Sequence, residues 1–353
     1  MGLPKRGRAP RGLSIAAALC LGAALGAVPA AAQSTKLKLQ AGFQLNQPVL
    51  GEMIAHFRDT VEATGRSDIR LRLYDATRLV PTLQIFDAVS AGNLDGGFAW
   101  PGYWMGKLPA TTVFAAVPFG PEAPEFLAWM HEGGGLELWR KLYAPHDVVP
   151  IPCGVLPPEA SGWFRKPIEK PEDLEGLKIR YAGLGGKVLE KLGASITMLA
   201  AGDIFVALER GVLDATEYSM PAADRSLGFY KVAKHYYFPG WHQPASIMEL
   251  TIHKPTWDGM TAEQRAFLES TCRDTTLWSL TRGLAVQAEA LEFFEAEGVT
   301  IHEWPAPIME RFRSAAAEVM TEAAAADPAF AEAWNSLQAF RARNAKWRRL
   351  AKP

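Results

Sequence analysis

The stretch that decides the fold runs from Gly176-Leu177-Lys178-Ile179-Arg180-Tyr181 to Ala215-Thr216-Glu217-Tyr218. The first six residues read as a strand entered from a loop. Gly185 to Leu192 follows as a helix, Ala194 to Leu199 as a strand, Asp203 to Arg210 as a helix, and Ala215 to Tyr218 as a strand. Strands that alternate with helices in this way predict a parallel arrangement, with the helices packed on the sheet.

The same pattern stands upstream. Lys36 to Gln40 alternates apolar and polar residues, Glu52 to Ala63 sets Met53, Ile54, Phe57 and Val61 at helical spacing, and Ile69 to Tyr74 alternates again. Thr82 to Ala91 carries Leu83, Phe86 and Val89 and is ended by Gly92, and Asp95 to Trp100 is a short strand. Val148 to Cys153 and Ser246 to Ile252 add strands, the second placed to cross back. Two such series predict two α/β lobes with mixed sheets flanked by helices.

Thr261 to Glu297 reads as one helix capped by Thr261. Its rhythm is carried by Phe267, Leu268, Cys272, Leu277, Leu284, Ala288, Leu291 and Phe294, with no proline and one interior glycine, Gly283. At 1.5 Å per residue such a helix is about 50 Å long, more than the ~30 Å width of a small domain. It must pack on both lobes or on a partner, an architecture suited to a hinged cleft. The expected division is residues 33–155 with about 246–285 as one lobe, and 156–245 with about 286–353 as the other.

The N-terminus has a different purpose. Lys5, Arg6, Arg8 and Arg11 precede an apolar run, Leu13 to Val28, and then Ala30-Ala31-Ala32. That is the three-part form of a secretory signal peptide, residues 1–32, and it predicts a periplasmic mature protein. Loss of its four positive charges takes the net charge from −1 to −5. An acidic chain lacks the clustered basic excess of a nucleic-acid binder. The 353 residues are 48% hydrophobic, with 17 Phe, 11 Trp and 8 Tyr, which excludes global disorder. Cys153 and Cys272 remain after cleavage and fit no metal spacing; they read as two small buried apolar residues, with pairing in an oxidising compartment as the alternative.

No motif of a known chemistry is present: no phosphate-binding loop, no dinucleotide fingerprint, no serine elbow and no zinc-binding helix. Gly183-Leu184-Gly185-Gly186-Lys187 is a glycine-rich turn suited to an anion. None of the seven histidines pairs with another His or Cys at ligand spacing, so each reads as a surface or internally satisfied residue.

Gly162-Trp163-Phe164-Arg165, Asp173-Leu174-Glu175-Gly176-Leu177-Lys178-Ile179-Arg180 and Lys187-Val188-Leu189-Glu190-Lys191-Leu192-Gly193 form a series. It continues through Ala207-Leu208-Glu209-Arg210-Gly211-Val212-Leu213-Asp214-Ala215-Thr216-Glu217, Leu227-Gly228-Phe229-Tyr230 and Tyr236-Tyr237-Phe238-Pro239-Gly240-Trp241. Together these resemble the substrate-binding proteins of tripartite ATP-independent periplasmic (TRAP) transporters, and Phe98 to Phe119 fits the first-lobe pattern of that family. The Glu217-Tyr218 and Pro239-Gly240-Trp241 stretches resemble the branch that binds 2-oxoacids and related carboxylates with a cation.

The resemblance implies that Arg180 holds the substrate carboxylate. Its planar two-donor fork matches a carboxylate, and it ends a strand where ligands of parallel sheets bind. It further implies that Glu217 and the backbone carbonyl of Tyr218 coordinate the cation; a plain Arg180–Glu217 ion pair without metal is the alternative. Glu159 departs from the branch, which commonly carries Gln there. A second carboxylate favours Ca²⁺ over Na⁺, unless Glu159 meets a polar group of the substrate. Tyr103 and Trp241 are expected to supply apolar walls with polar tips. The implied partners are a small carboxylate and a TRAP-type membrane permease. The helical run Phe330 to Trp347 implies a homodimer or an intramolecular helix. The rival reading is a metal-dependent hydrolase or lyase using Glu159 and Glu217, disfavoured because no histidine accompanies the motif cluster.

Overall fold

The computed structural model describes residues 1–2, 34–66 and 68–351. The chain divides into Met1–Gln33 and one compact unit, Ser34–Pro353. The expected signal peptide lies outside the described residues.

The first sheet has five strands: β1 (Thr35–Ala41), β2 (Ile69–Tyr74), β3 (Gly96–Ala99), β4 (Val148–Leu156) and, later in the chain, β10 (Ser246–His253). Their order is β2-β1-β3-β10-β4. β1 runs parallel to β2 and β3, as the strand–helix alternation requires, while β10 returns antiparallel between β3 and β4. The second sheet contains β5 (Gly162–Phe164), β6 (Lys178–Arg180), β7 (Ser195–Thr197), β8 (Ala215–Thr216), β9 (His235–Phe238) and β11 (Thr300–Glu303). Its order is β11-β9-β5-β8-β6-β7, with β6 parallel to both β7 and β8. The helices Gly183–Lys191 and Ala201–Glu209 connect these parallel strands, as read from the sequence.

The long helix departs from expectation in two respects. It is bent: Ala262–Ala285 and Gln287–Ala296 are separate helices that meet at Val286, and the first is about 36 Å long. The Gln287 side chain stabilises the break, because its amide donates to the Gly283 carbonyl while its oxygen accepts from the Ala222 amide. Backbone groups freed by the bend therefore keep partners.

The buried face of the first helix also differs. Leu277 and Leu284 are exposed, and the inward face is Leu268, Thr271, Cys272, Thr275, Thr276, Ser279 and Gly283. The reason is that this helix covers β4, the edge strand of the first sheet. An edge strand presents unpaired backbone groups, and Ser279 Oγ accepts from the Val155 amide and lies within bonding distance of the Val155 carbonyl. Gly283 permits the closest approach: a Cβ there would stand 2.6 Å from Pro157 Cδ. Cys153 and Cys272 are joined in a disulfide between β4 and this helix, 119 positions apart. Reading them as two separate apolar residues is corrected. Both are fully buried, and the helix brings Cys272 over the strand, a proximity that spacing along the chain does not encode.

Candidate functional site

Arg180 ends β6, and Glu217 immediately follows β8. These strands are parallel neighbours, so the two side chains emerge side by side at carboxyl ends. The Glu217 amide donates to the Arg180 carbonyl at 2.9 Å. Arg180 Nη1 donates to Glu217 Oε2 at 2.9 Å and to the Glu217 carbonyl at 2.5 Å, and Nε donates to the Leu199 carbonyl at 3.2 Å. The pair is almost wholly buried, at 2% and 0% exposure. The ion pair expected as one alternative therefore exists, and it uses only one of the two Glu217 oxygens.

Glu159 lies in the link from β4 to β5. Its amide donates to the Gln243 carbonyl, and the next amide, Ala160, donates to the Ser219 carbonyl. The link is thereby held between the segments that follow β8 and β9. Ser219 Oγ donates to Glu159 Oε1 at 3.2 Å. Gly240 explains why this packing is possible, since a Cβ at that position would lie 2.1 Å from the Glu159 carbonyl oxygen.

His242 completes the cluster. Its Nε2 stands 3.5 Å from Glu217 Oε1 and 4.0 Å from Glu159 Oε2. One ligand atom from each of Glu159, Glu217 and His242 falls within 4.8 Å of the others, and all three residues are buried. Glu159 Oε2, Glu217 Oε1 and both ring nitrogens of His242 have no hydrogen-bond partner. Unpartnered buried polar atoms are costly and call for an explanation. A cation explains these: three lone-pair donors converge on one point, and a fourth group, Arg180, is already neutralised by the other oxygen of Glu217.

The electrostatics agree. Burial, then the charge of Glu217, pushes the Glu159 carboxyl well above its usual range. Burial also acts to raise Glu217, but His242 and Arg180 beside it hold that carboxyl below its usual value. Two carboxylates at this separation cannot both ionise easily without added positive charge.

A small cavity of about 20 Å³ opens onto Glu159, Arg180, Tyr218, Tyr103, Trp100 and Gln243. That volume holds a water-sized body. Tyr103 is on the wall of this cavity. Trp241 is not: it stacks on Phe119 and Phe312 in the core behind the site, because the residue next to it, His242, takes the inward position. Trp100, a buried residue of the core, lines the cavity as well. The expectation that no histidine accompanies the motif cluster is also corrected. His242 directly follows the Pro239-Gly240-Trp241 run, but it lies 25 residues after Glu217, and no ligand spacing links the two.

The glycine-rich turn finds a packing role here. A Cβ on Gly185 would lie 2.7 Å from the Cβ of His242 and 2.6 Å from the Tyr181 ring, and Gly183 has φ +61° beside Trp100. The start of that helix is flush against the site's side chains.

The sequence profile of the bacterial extracellular solute-binding protein family 7 (DctP) matches residues 43–327. The chain belongs to this family. Members are substrate receptors of TRAP transporters. The chain is 35% identical over 277 residues to the monocarboxylate 2-oxoacid-binding periplasmic protein of Nostoc sp., covering 78% of this chain and 76% of that protein. Among solved structures it is similar to a TRAP solute-binding protein from Bordetella bronchiseptica with calcium and picolinate bound. The TM-score is 0.87 at 30% identity, covering 90% of this chain and 95% of that one. It is equally similar to a TRAP periplasmic solute-binding protein from Pseudoalteromonas atlantica with bound sodium and pyruvate. There the TM-score is 0.86 at 31% identity, covering 90% and 97%. The two mixed sheets with the long bent helix are thus the fold of the family 7 receptors.

Proposed function

We propose that this family 7 receptor captures a small 2-oxoacid or 2-hydroxy acid, with pyruvate as the type ligand, together with a cation, and delivers it to a TRAP-type membrane permease. The observation that carries the reading is the set of three converging, unpartnered ligand atoms beside a buried arginine. Glu159, Glu217 and the Tyr218 carbonyl hold the cation, which supplies positive charge to a substrate's oxygens. Arg180 faces the substrate carboxylate, with Tyr103 and Trp100 closing the sides. Similar proteins with sodium and pyruvate, or calcium and picolinate, support it. Stable binding without turnover sets the reading apart from a hydrolase.

The cleft lies between the two lobes set out from the sequence. Outside Tyr103 the cavity meets a wider groove of about 430 Å³, lined by Gln44, Asn46 and Gln47 on one side and Asp203 and Ser226 on the other. Between groove and cavity, Gln47 Nε2 donates to Tyr218 Oη at 3.1 Å. A three-carbon acid exceeds the inner cavity, so it enters with the lobes apart and the Gln47–Tyr218 contact re-forms over it.

Residues 1–32 act as a cleaved signal peptide for a periplasmic receptor. The C-terminal helices Pro328–Arg343 and Ala345–Ala351 leave Trp347 and Leu350 exposed beside a groove lined by Phe340, Arg341 and Arg348. That is the surface through which a homodimer forms. Calorimetric titration of the mature protein with pyruvate, with and without Na⁺ and Ca²⁺ after chelator treatment, tests the main reading. Cation-dependent binding supports it, and absence of pyruvate binding with every cation refutes it. Sedimentation at micromolar concentration tests the dimer, which a monomer would end.

A further inference from the structure

The cluster contains a nitrogen donor, His242, beside its two carboxylates. We infer that His242 Nε2 is a direct cation ligand and that the site is built for a borderline divalent ion of the first transition row, such as Mn²⁺ or Co²⁺. This rests on the proposed cation-assisted receptor and specifies its metal.

Position is the first argument. His242 Nε2 is 3.5 Å from Glu217 Oε1 and 4.0 Å from Glu159 Oε2, ordinary separations between two ligands of one ion. It forms no hydrogen bond to either. A merely supporting histidine would donate a well-formed hydrogen bond to a carboxylate or carbonyl; here Nε2 stands at ion-pair distance from Glu217 without one, and Nδ1 has no hydrogen-bond partner.

Confinement is the second. The ring is 1% exposed, its Cβ abuts the helix start at Gly185, and Tyr181 packs edge-on with centroids 4.7 Å apart. The imidazole is held in place before any ion arrives.

Charge and ligand chemistry are the third. Glu159, Glu217 and a substrate carboxylate carry three negative charges and Arg180 one positive. With Glu159 ionised, a divalent ion and a neutral imidazole bring the count to zero, whereas sodium reaches zero only when Glu159 keeps its proton. Imidazole with two carboxylates suits a transition-row ion, while all-oxygen sets suit Ca²⁺.

The test uses chelator-treated mature protein and its His242→Gln variant, each titrated with Mn²⁺, Co²⁺ and Ca²⁺. Pulsed electron paramagnetic resonance of the Mn²⁺ form reads ligand nitrogen directly. The expected results are tighter binding of Co²⁺ than of Ca²⁺ and a ¹⁴N coupling in the wild type. In His242→Gln that coupling is lost, with about a hundredfold loss of Co²⁺ affinity against about tenfold or less for Ca²⁺. Equal losses for all three ions, or no ¹⁴N coupling in the wild type, would overturn the inference. If His242→Gln fails to fold, the wild-type spectrum alone decides. Pyruvate titration of the Ca²⁺ and Na⁺ forms separates the two ideas. Pyruvate binding without nitrogen coupling removes only the role of His242, whereas no pyruvate binding with any cation removes the receptor reading.

Discussion

Glu249 offers a prediction that can be worked through from the structure. It sits in β10, wholly buried in the first sheet, and is not among the residues lining the cavity. Its Oε1 accepts from Trp104 Nε1 at 2.5 Å and from Tyr143 Oη at 3.2 Å, and Oε2 has no partner. No basic side chain pairs with it among the described residues. Burial therefore pushes its pKa up to about 8, against an ordinary value of 4.5. The group folds neutral. Because the folded pKa lies above the unfolded one, its contribution to stability is complete below about pH 4.5 and is lost as pH rises towards 8.

Each pKa unit corresponds to about 1.4 kcal/mol, so between pH 5 and pH 8 the wild type loses about 3 kcal/mol through this one group. Glu249→Gln keeps the volume and the acceptor for Trp104 and Tyr143 but cannot ionise. Its new amide hydrogens at the unpartnered position cost about 1–3 kcal/mol at every pH. That offset cancels when the two proteins are compared across pH. The expected outcome is that the stability of Glu249→Gln relative to wild type improves by about 3 kcal/mol from pH 5 to pH 8, about 5 °C in Tm for a unit of this size. Chemical denaturation followed by tryptophan fluorescence at pH 5, 6, 7 and 8 measures it. Parallel stability curves for the two proteins would refute the reasoning, since every other titrating group is common to both.

Arg180→Ala leaves Glu217 buried without its partner. It is expected to lower stability by about 3–5 kcal/mol and pyruvate affinity by at least about a hundredfold, and wild-type binding by calorimetry would contradict the assignment. Glu159→Gln removes one carboxylate from the proposed cation site and should shift the Ca²⁺-to-Na⁺ affinity ratio towards sodium by about tenfold or more; an unchanged ratio places Glu159 outside the cation's reach. Replacing Cys153 and Cys272 together by Ala opens a loop of 119 positions and should cost about 4 kcal/mol, read as a lower denaturation midpoint; an unaltered midpoint would show that helix packing alone holds β4.

The parts of the fold legible in the sequence are those set by local periodicity. β1, β2, β6 and the helices between strands follow from alternation and helical spacing within a few residues. That Arg180 and Glu217 stand side by side was legible for a related reason: one ends a strand and the other follows the neighbouring parallel strand. The bent helix was not legible, because the break at Val286 is held by a side chain bonding to Gly283 and Ala222, and residue 222 lies far off in sequence. Its buried face was misread for a physical reason. Helical periodicity marks hydrophobic residues, but Ser279 on this inner face serves the Val155 backbone of the edge strand, and the hydroxyls of Thr271, Thr275 and Thr276 are buried there by bonding carbonyls one turn back in their own helix.

His242 was missed for a different reason, and that reason bears on how such sites are built. A metal-ligand motif is readable when ligands share a helix or turn, because spacing then fixes geometry. Here the three side chains come from three links, after β4, β8 and β9, and their meeting depends on residues with no ligand chemistry. Gly240 lets its own segment lie against Glu159, Gly185 leaves room for the imidazole, and Ser219 turns one oxygen of Glu159 so that the other faces the cluster. The geometry of the cluster therefore rests partly on absent side chains. It follows that Gly185→Ala, which brings a methyl group to 2.7 Å from the Cβ of His242, should disturb cation binding while leaving Arg180 and Glu217 paired. Weakened cation affinity with the Arg180–Glu217 contact intact in a crystal structure is the expected result; unaltered affinity would mean that the position of His242 does not matter to the ion.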